Sequence, residues 1–249
     1  MTDNEFRFTV ELLREYSVAS LNNAEELIEE ASLLYERNHI ARAYFLAVAS
    51  IEEIGKALLA FDGQGRNLAD SAVTAKLRRS LEDHSQKIAA AFIPVLSLNQ
   101  NVREALIPVI DLMTHLTLGR EPSMYTDIVY AESKVQLPRG VVRDVAAKDC
   151  VRLSKDCLSN ARNHLAKEKP TARTRAEDQL FSMKSEQLKK MTNTEDFWWY
   201  YIEQCQAGNR DFAAAAIDYQ RKYFSKGKEF KRANRSGSDI QSSPHEDER

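Results

Sequence analysis

Residues 40–61 read IARAYFLAVASIEEIGKALLAF, and this stretch decides the fold. In a helix built from it, apolar side chains lie on nearly every side, as expected of a central helix that other helices surround. Gly63 and Gly65 follow directly and predict the end of the helix, because glycine readily adopts the left-handed conformation that closes helices. The sequence therefore predicts a helical bundle packed around residues 40–61.

Composition also favours an all-α fold for the 249-residue chain. Its 8 glycines and 6 prolines are about half of the average share, whereas sheet proteins need these residues at every chain reversal. The formal charge of −2 creates no global field for nucleic acid, so any RNA contact requires a local patch. Three cysteines without a CxxC pair, and the lack of a signal peptide or long apolar segment, predict a cytoplasmic protein.

The spacing of apolar residues predicts further helices on both sides of the central one. Their bounds are residues 8–37, with a joint or cap at Asn22 and Asn23; 75–96, kinked or ended by Pro94; 102–118, closed by Gly119; 139–166; 176–191; 195–205; and a last helix after Asn209. Residues 120–138 are predicted to be irregular. We predict a helical domain over residues 1–169, a helical C-terminal extension over 170–225 and a disordered tail over 226–249.

Charged residues interrupt the central helix at Glu52, Glu53 and Lys56. Glu52 lies four residues and Glu53 three residues before Lys56, so on a helix both carboxylates can reach one ammonium group. Buried charges are costly unless they are paired, so the cluster is expected to be half exposed or bonded to another helix. Gly55 predicts close helix packing at this point. A surface ion pair beside a tight helix crossing is the alternative interpretation.

A second polar group occupies residues 78–87, which read RRSLEDHSQK. Arg78 and Arg79 precede His84 with the spacing of an Rx4–6H motif. Such a pair can cleave RNA without a metal, because histidine moves protons at the ribose 2′-hydroxyl and the leaving oxygen while arginine stabilises phosphoryl charge. The alternative is an ordinary exposed helix, in which the two arginines form i,i+4 pairs with Glu82 and Asp83.

Other chemistry has no visible site in the sequence. A single Glu-x-x-His pair, at Glu36 and His39, falls short of the ligands of a helical di-iron centre. Gly-rich phosphate loops, G-x-S-x-G and HExxH motifs are absent, so we predict no metal and no cofactor. The aromatic run from Phe197 to Tyr201 is predicted mainly to pack the C-terminal helices, with stacking on single-stranded RNA as the alternative.

Taken together, these segments resemble the AbiV-type abortive infection proteins, a bacterial anti-phage family within the HEPN superfamily. The resemblance covers about residues 15–165. It is carried by SLNNA at 20–24 with Glu30, Ala31 and Leu34; by residues 43–57, which end in EEIGKA; by HSQK at 84–87; and by MYTD at 124–127 followed by Pro138. The EEIGK core together with the downstream H-x-x-K is its most specific part.

The resemblance implies an all-α, HEPN-like up-and-down helical bundle that forms a homodimer and defends a prokaryote against phage. HEPN proteins are often metal-independent ribonucleases whose Rx4–6H motifs meet across the dimer interface. Carried over by position, this implies His84 as the acid or base and Arg79 or Arg78 as the phosphate stabiliser. The implied polar surround consists of four charged residues: Glu52, Glu53, Lys56 and Lys87.

Two functions are consistent with these residues. The first is a toxin-like ribonuclease that a phage-encoded protein triggers, that cuts host or phage RNA and that arrests translation. The second is a non-catalytic dimeric module whose surface binds a phage protein or the translation machinery. Ser80 follows Arg79 where active HEPN nucleases frequently carry Asn, Asp or His, which weighs against catalysis. The ribonuclease is the predicted function, and the non-catalytic module is the alternative. Neither function is expected to involve a membrane or DNA.

Overall fold

The computed structural model describes residues 6–94 and 102–231, and this part of the chain is mostly helical. The chain divides into two compact units, Met1–Arg173 and Thr174–Arg249, close to the boundary predicted after residue 169. Within the described residues, strands are confined to one short hairpin, so the all-α prediction is confirmed. No helix in this part of the chain has both the length and the apolar character needed to cross a membrane.

The first unit contains a central helix with other helices around it. Its elements are α1 (Val10–Glu36), α2 (Ile40–Gly63), α3 (Ser71–Glu82), α4 (His84–Ala91), α5 (Val102–Met124), β1 (Asp127–Val129), β2 (Lys134–Gln136), α6 (Pro138–Val141) and α7 (Asp144–Lys167). A 3-10 turn joins the two strands, which pair antiparallel with Ile128 opposite Val135. Helix α2 packs against α1, α4, α5 and α7, as its apolar sequence predicts.

Small and branched apolar residues of α2 form the centre of the core. Ala47, Ile51 and Ile54 are fully buried. Ser17 of α1 is also buried and donates a hydrogen bond to the backbone oxygen of Ala57 at 2.9 Å. Each large aliphatic side chain buried here contributes about 1.5–3 kcal/mol to the stability of the bundle.

Helix α1 is continuous, and the joint predicted at Asn22 and Asn23 does not form. The two asparagines are exposed, while Ser20 and Ala24 on either side of them are buried against the core. The amphipathic pattern therefore continues through this position, and the solvent-exposed face accommodates the polar pair.

Residues predicted as one helix over 75–96 form two, α3 and α4, which meet at Asp83. The backbone of Asp83 is extended, with φ −78° and ψ 119°, and its N–H donates to the oxygen of Arg79 at 2.9 Å. The Asp83 carboxylate accepts a hydrogen bond from the backbone N–H of Gln86 at 2.9 Å and so caps α4. A short acidic side chain that caps a new helix outweighs continuation of the old one. Helix α4 ends at Ala91, with Phe92 as its C-cap, three residues before Pro94, where the kink or end was predicted. Residues 95 and 96 lie outside the described residues.

Helix α5 extends to Met124, beyond its predicted end at residue 118. Gly119 does not close the helix but lies within it, where a Cβ atom would be 2.6 Å from the hydroxyl of Tyr44. This glycine therefore makes room for a side chain of α2. Residues 120–138, predicted to be irregular, contain the end of α5, the hairpin and the first residue of α6.

The second unit contains four described helices: α8 (Arg175–Ser182), α9 (Ser185–Thr192), α10 (Glu195–Gln206) and α11 (Phe212–Lys222). The single helix predicted over residues 176–191 is thus two helices. The Ser182 hydroxyl donates to the backbone oxygen of Asp178 at 2.8 Å, a bond that competes with helix continuation. Aromatic side chains form the core of this unit, with Phe197, Tyr200, Tyr219 and Phe230 all buried.

The tail predicted from residue 226 begins too early. Residues 226–231 belong to the second unit, because Phe230 is 5% exposed and packs in its aromatic core. The carboxylate of Asp196 accepts hydrogen bonds from the backbone N–H groups of Phe230 at 2.8 Å and Lys231 at 2.9 Å. One apolar residue within a basic stretch is therefore enough to order this segment. Residues 232–249 lie outside the described residues.

Candidate active site

Glu52 is the centre of a buried cluster of charged side chains. The residue is 4% exposed, and its Oε2 lies 2.7 Å from Nδ1 of His84 and 3.0 Å from Nζ of Lys87. Its Oε1 lies 2.7 Å from Nε of Arg120. The carboxylate of Glu52, on α2, therefore contacts two cationic or ionisable groups of α4 and the guanidinium of α5.

The cluster forms where α2 crosses α4, and residues three apart on each helix contribute to it. Glu52 and Gly55 lie three residues apart on α2, and His84 and Lys87 lie three residues apart on α4, so each pair shares a helix face. A Cβ atom at Gly55 would lie 1.8 Å from the backbone oxygen of Lys87. The predicted close packing at Gly55 is thus a backbone contact, and it places Glu52 within reach of both α4 side chains.

The substitution Gly55→Ala is expected to separate α2 from α4 and to loosen the contact between Glu52 and His84. The added methyl group overlaps a backbone oxygen, which has no other rotamer, so we expect a loss of about 1–3 kcal/mol in the free energy of unfolding. Urea unfolding followed by circular dichroism measures this loss. Gly140→Ala is the matched control, because nothing lies within 4 Å of its Cβ position. Equal stability of the two variants would contradict the packing described above.

The helix break at Asp83 leaves His84 partly exposed to solvent. His84 is the first residue of α4, and its side chain is 51% exposed, compared with 6% for that of Glu52. In an unbroken helix, Arg79 and His84 would lie about 140° apart around the axis. Because the helix is broken at Asp83, this angular separation does not hold for Arg79 and His84. Since Nδ1 faces the buried carboxylate, Nε2 is the ring nitrogen left for a ligand.

The neighbours of Glu52 keep it ionised. Burial alone would raise the pKa of Glu52, because the charged form loses its hydration. Hydrogen bonds from His84 and Lys87, and the positive charges of Lys87 and Arg120, outweigh this effect and hold the pKa of Glu52 below its ordinary value. The site therefore contains a buried carboxylate whose charge several partners balance.

Arg120 is a member of the cluster that the sequence analysis missed. Its side chain is 18% exposed, and its guanidinium carbon lies 5.3 Å from the centre of the Phe45 ring. The contact with Glu52 is an ionic one without hydrogen-bond alignment, so Nε of Arg120 and Oε1 of Glu52 have no hydrogen-bond partner among the described residues. The sequence analysis missed Arg120 because it took Gly119 as the end of the helix. Continuing the helical period through Gly119 would have placed Arg120 on the same helix.

Glu53 and Lys56 form a separate ion pair on α2, with side chains 15% and 22% exposed. Glu52 does not join this pair, contrary to the expectation that both carboxylates meet one ammonium group. Neighbouring residues on a helix point about 100° apart, so Glu53 faces away from the site while Glu52 faces α4. Burial opposes the charged form of Lys56, but the hydrogen bond and charge of Glu53 raise its pKa.

The two arginines of the Rx4–6H motif are exposed on α3. Nε of Arg78 pairs with Oε1 of Glu82 at 3.0 Å, the i,i+4 contact that an ordinary helix forms. The side chain of Arg79 has no hydrogen bond or ion pair within the described residues. Neither arginine contacts His84 in a single chain, although Arg79 lies one helical turn before the break at Asp83. Their catalytic roles stay predictions.

Proton transfer is the chemistry that this arrangement favours. A buried carboxylate fixes a half-exposed imidazole by one nitrogen, which leaves the other nitrogen to exchange protons with a ligand. A metal ion is disfavoured at Glu52, because Lys87 and Arg120 already balance its charge and would repel a cation. The nearby positive charges favour an anionic ligand instead.

The fold and this site together define an all-α protein of the HEPN-like class, in which a histidine at a helix break follows an exposed arginine by five residues. The family model for AbiV, a HEPN family, matches residues 12–159, which is more than half of the chain. The chain therefore belongs to the AbiV family and is an abortive-infection, anti-phage HEPN protein. The search of curated proteins and the search of solved structures returned no match. The second unit lies outside the matched residues.

Proposed function

We propose that this protein is a metal-independent endoribonuclease that acts as a homodimer in anti-phage defence, and that His84 transfers the protons of the reaction. The observation that carries the proposal is the 2.7 Å contact between Nδ1 of His84 and the buried Oε2 of Glu52. An ionised carboxylate at this distance accepts a hydrogen bond, so the ring proton belongs on Nδ1 and the lone pair of the neutral ring on Nε2.

The reaction that fits this geometry is attack of a ribose 2′-hydroxyl on the adjacent phosphorus. Nε2 of His84 takes the hydroxyl proton as the 2′-oxygen bonds to phosphorus, and the bond from phosphorus to the 5′-oxygen breaks. An acid returns a proton to that 5′-oxygen, which leaves a 2′,3′-cyclic phosphate and a free 5′-hydroxyl. In a homodimer, a protonated His84 from the second copy would supply this acid.

Positive charge near His84 supports binding of the phosphate. Arg79 is exposed and unpaired within the described residues, so its guanidinium is free to form two parallel hydrogen bonds with phosphoryl oxygens. Lys87 is 5% exposed and bonded to Glu52, which suits a positioning role. Arg120 likewise holds the carboxylate in place from α5.

The experiment that tests the proposal is cleavage of transfer RNA and total RNA by the purified chain with EDTA present. We expect fragments with cyclic phosphate and 5′-hydroxyl ends, and no cleavage of an all-deoxy oligonucleotide, which lacks the attacking hydroxyl. RNA from phage-infected cells that express the chain provides the same comparison under triggering conditions. RNA profiles identical to those of cells expressing His84→Ala, in both settings, would overturn the proposal.

In the same assay, Arg79→Ala is expected to slow RNA cleavage by about tenfold or more, because it removes a group that stabilises phosphoryl charge. Arg78→Ala is the matched control. Its guanidinium pairs with Glu82 and lines an apolar cavity with Phe8 and Leu12, so its loss should leave the rate within about twofold. If Arg78→Ala lowers the cleavage rate more than Arg79→Ala does, then Arg78 and not Arg79 binds the phosphate.

A second candidate function is a non-catalytic dimeric module that binds a phage protein or the translation machinery. The hairpin between α5 and α6 favours it, because apolar side chains are exposed on both strands and on the turn between them: Ile128 of β1 is 51%, Tyr130 of the turn 83% and Val135 of β2 62% exposed. Contiguous exposed apolar groups commonly mark protein contacts. If this function is the correct one, His84→Ala protects cells in a plaque assay as well as the wild type does, while polar substitutions in the hairpin abolish protection.

A further inference from the structure

Both tryptophans of the chain are exposed on one helix of the second unit. Trp198 is 45% exposed and Trp199 49% exposed, and Ile202, one turn later on α10, is 43% exposed. Ile202 lies four residues after Trp198 and three after Trp199, so it falls between the two tryptophans on the helix surface, and the three side chains span about 100° of one side of α10. An exposed face of large apolar groups is uncommon on a soluble unit and marks a binding surface.

Trp199 on this face is not needed for the aromatic core of the unit, whereas Trp198 contacts the edge of that core. Phe197 and Tyr200, on the opposite side of α10, are 0% and 3% exposed and pack in the aromatic core. Trp198 is held in place by its ring N–H, which donates to the backbone oxygen of Thr192 at 2.7 Å. Trp199 has no aromatic contact within the described residues, and its described partner is the cation Lys231. Folding therefore explains the buried members of the aromatic run and the position of Trp198, whose ring lies 5.1 Å from that of Phe197 and 6.3 Å from that of Phe212, but not the exposed Trp199.

Positive charge accompanies the exposed tryptophans. Nζ of Lys231 lies 5.0 Å from the centre of the Trp199 ring. The position of Lys231 is set by its backbone, which is bound to Asp196, and by the burial of Phe230 beside it. Lys231 also pairs with the exposed Glu195 at 3.1 Å, a surface contact that a stronger anion displaces readily. The described residues 221–231 contain five Lys or Arg and a single acidic residue, so this segment is basic in a chain of nearly neutral charge, although Arg221 and Lys222 pair with Asp218.

We propose that this face, defined by Trp198, Trp199, Ile202 and Lys231, binds single-stranded RNA. An unpaired base stacks on the open side of the Trp199 ring, and the Lys231 ammonium beside that ring pairs with a backbone phosphate. Aromatic side chains flanked by cations bind single strands in this way, whereas the bases of a duplex are stacked on one another and are not accessible. The choice of RNA as the polynucleotide rests on the proposed ribonuclease function.

Tryptophan fluorescence tests the inference directly, because both tryptophans of the chain lie on this face. The full chain carrying His84→Ala, which under the proposed function cuts RNA at least about 100-fold more slowly, is titrated with a single-stranded oligoribonucleotide of mixed sequence. We expect saturable quenching that weakens as salt rises and that a duplex of the same sequence does not reproduce. Absence of quenching would overturn the inference, as would a tryptophan signal that changes with protein concentration alone, which assigns the face to a protein contact.

Two variants in the same background locate the binding. Trp199→Ala is expected to weaken binding of a labelled oligonucleotide, measured by anisotropy, by about tenfold. Lys231→Ala should weaken binding and reduce its salt dependence, whereas Lys184→Ala, an exposed lysine elsewhere in the unit, should not. Unchanged affinity in a folded Trp199→Ala chain would overturn the inference while leaving the ribonuclease proposal intact. If RNA quenches the tryptophan fluorescence but the wild-type chain never cuts RNA, the ribonuclease proposal is overturned and the binding inference stands.

Discussion

The substitution His84→Ala is expected to reduce RNA cleavage by about 10²- to 10⁴-fold, the range that general acid or base groups contribute. The imidazole is half exposed and contacts Glu52, so its removal takes away the proton carrier without opening the core. Lys87 and Arg120 still balance the carboxylate in this variant. If the variant loses activity but little stability, His84 acts in catalysis and not in maintaining the fold. Initial rates of RNA cleavage in EDTA, measured with thermal unfolding of the same samples, give both quantities.

The control for this variant is His39→Ala. His39 is exposed at the start of α2 and outside the Glu52 cluster, so its removal should leave the cleavage rate unchanged. If a folded His84→Ala chain cuts RNA at the wild-type rate, His84 has no part in the reaction and the proposed mechanism is wrong. Equal losses in the two variants would point to a general effect of histidine removal.

The second large effect is expected for Glu52→Gln, which should lower the free energy of unfolding by about 3–5 kcal/mol. Lys87 is 5% exposed, and without the carboxylate its charge has no counter-ion in the core. The N–H group of the glutamine amide finds only donors in Lys87 and Arg120, and it can donate to His84 only if the imidazole moves its proton to Nε2. Glu53→Gln is the matched control, and its loss should be about 1 kcal/mol, because its pair with Lys56 is partly solvated. Equal losses in the two variants would contradict a special role for Glu52.

The stabilising effect of Glu52 is expected to disappear in acid. Because the pKa of Glu52 in the folded chain is held below the ordinary glutamate value of 4.5, the folded state binds this proton less readily than the unfolded state does. The contribution is therefore complete above pH 4.5 and is lost as the pH falls through the lowered value. The difference in unfolding free energy between wild type and Glu52→Gln should shrink in that range. A difference that stays constant well below pH 4.5 would contradict this.

Much of the fold is predictable because residues 40–61 are apolar on nearly every side, as expected of a central helix. The errors concern single residues that compete with the helical pattern. Asp83 caps a new helix where the apolar period continues, and Gly119 makes room for Tyr44 where a glycine ordinarily signals an end. Phe230 is buried although it lies in a charged stretch that is rich in Lys and Arg. Local propensity could not predict the last two outcomes, because each depends on a partner that is distant in sequence, Tyr44 for Gly119 and Asp196 for Phe230. The break at Asp83 has a local cause, the cap at Gln86, that competes with an equally local helical pattern.

The candidate site was partly predictable for a similar reason. The E-x-x-G and H-x-x-K spacings identify Glu52, Gly55, His84 and Lys87 as residues on shared helix faces, and the structure brings these faces together. The spacing could not show that Glu53 and Lys56 form their own pair, because the choice of partner depends on which side of α2 faces α4. Arg120 was not predicted as a site residue, because its position beside Glu52 depends on α5 continuing past Gly119 to Met124.

The measurement that tests the central claim most directly is the rate of RNA cleavage by Glu52→Gln, taken in EDTA at a temperature where unfolding curves show the variant to be folded. If the carboxylate holds His84 for proton transfer, the rate should fall by about 100-fold or more, towards that of His84→Ala. A folded Glu52→Gln chain that cuts RNA as fast as the wild type would show that the contact between the two side chains plays no part in catalysis.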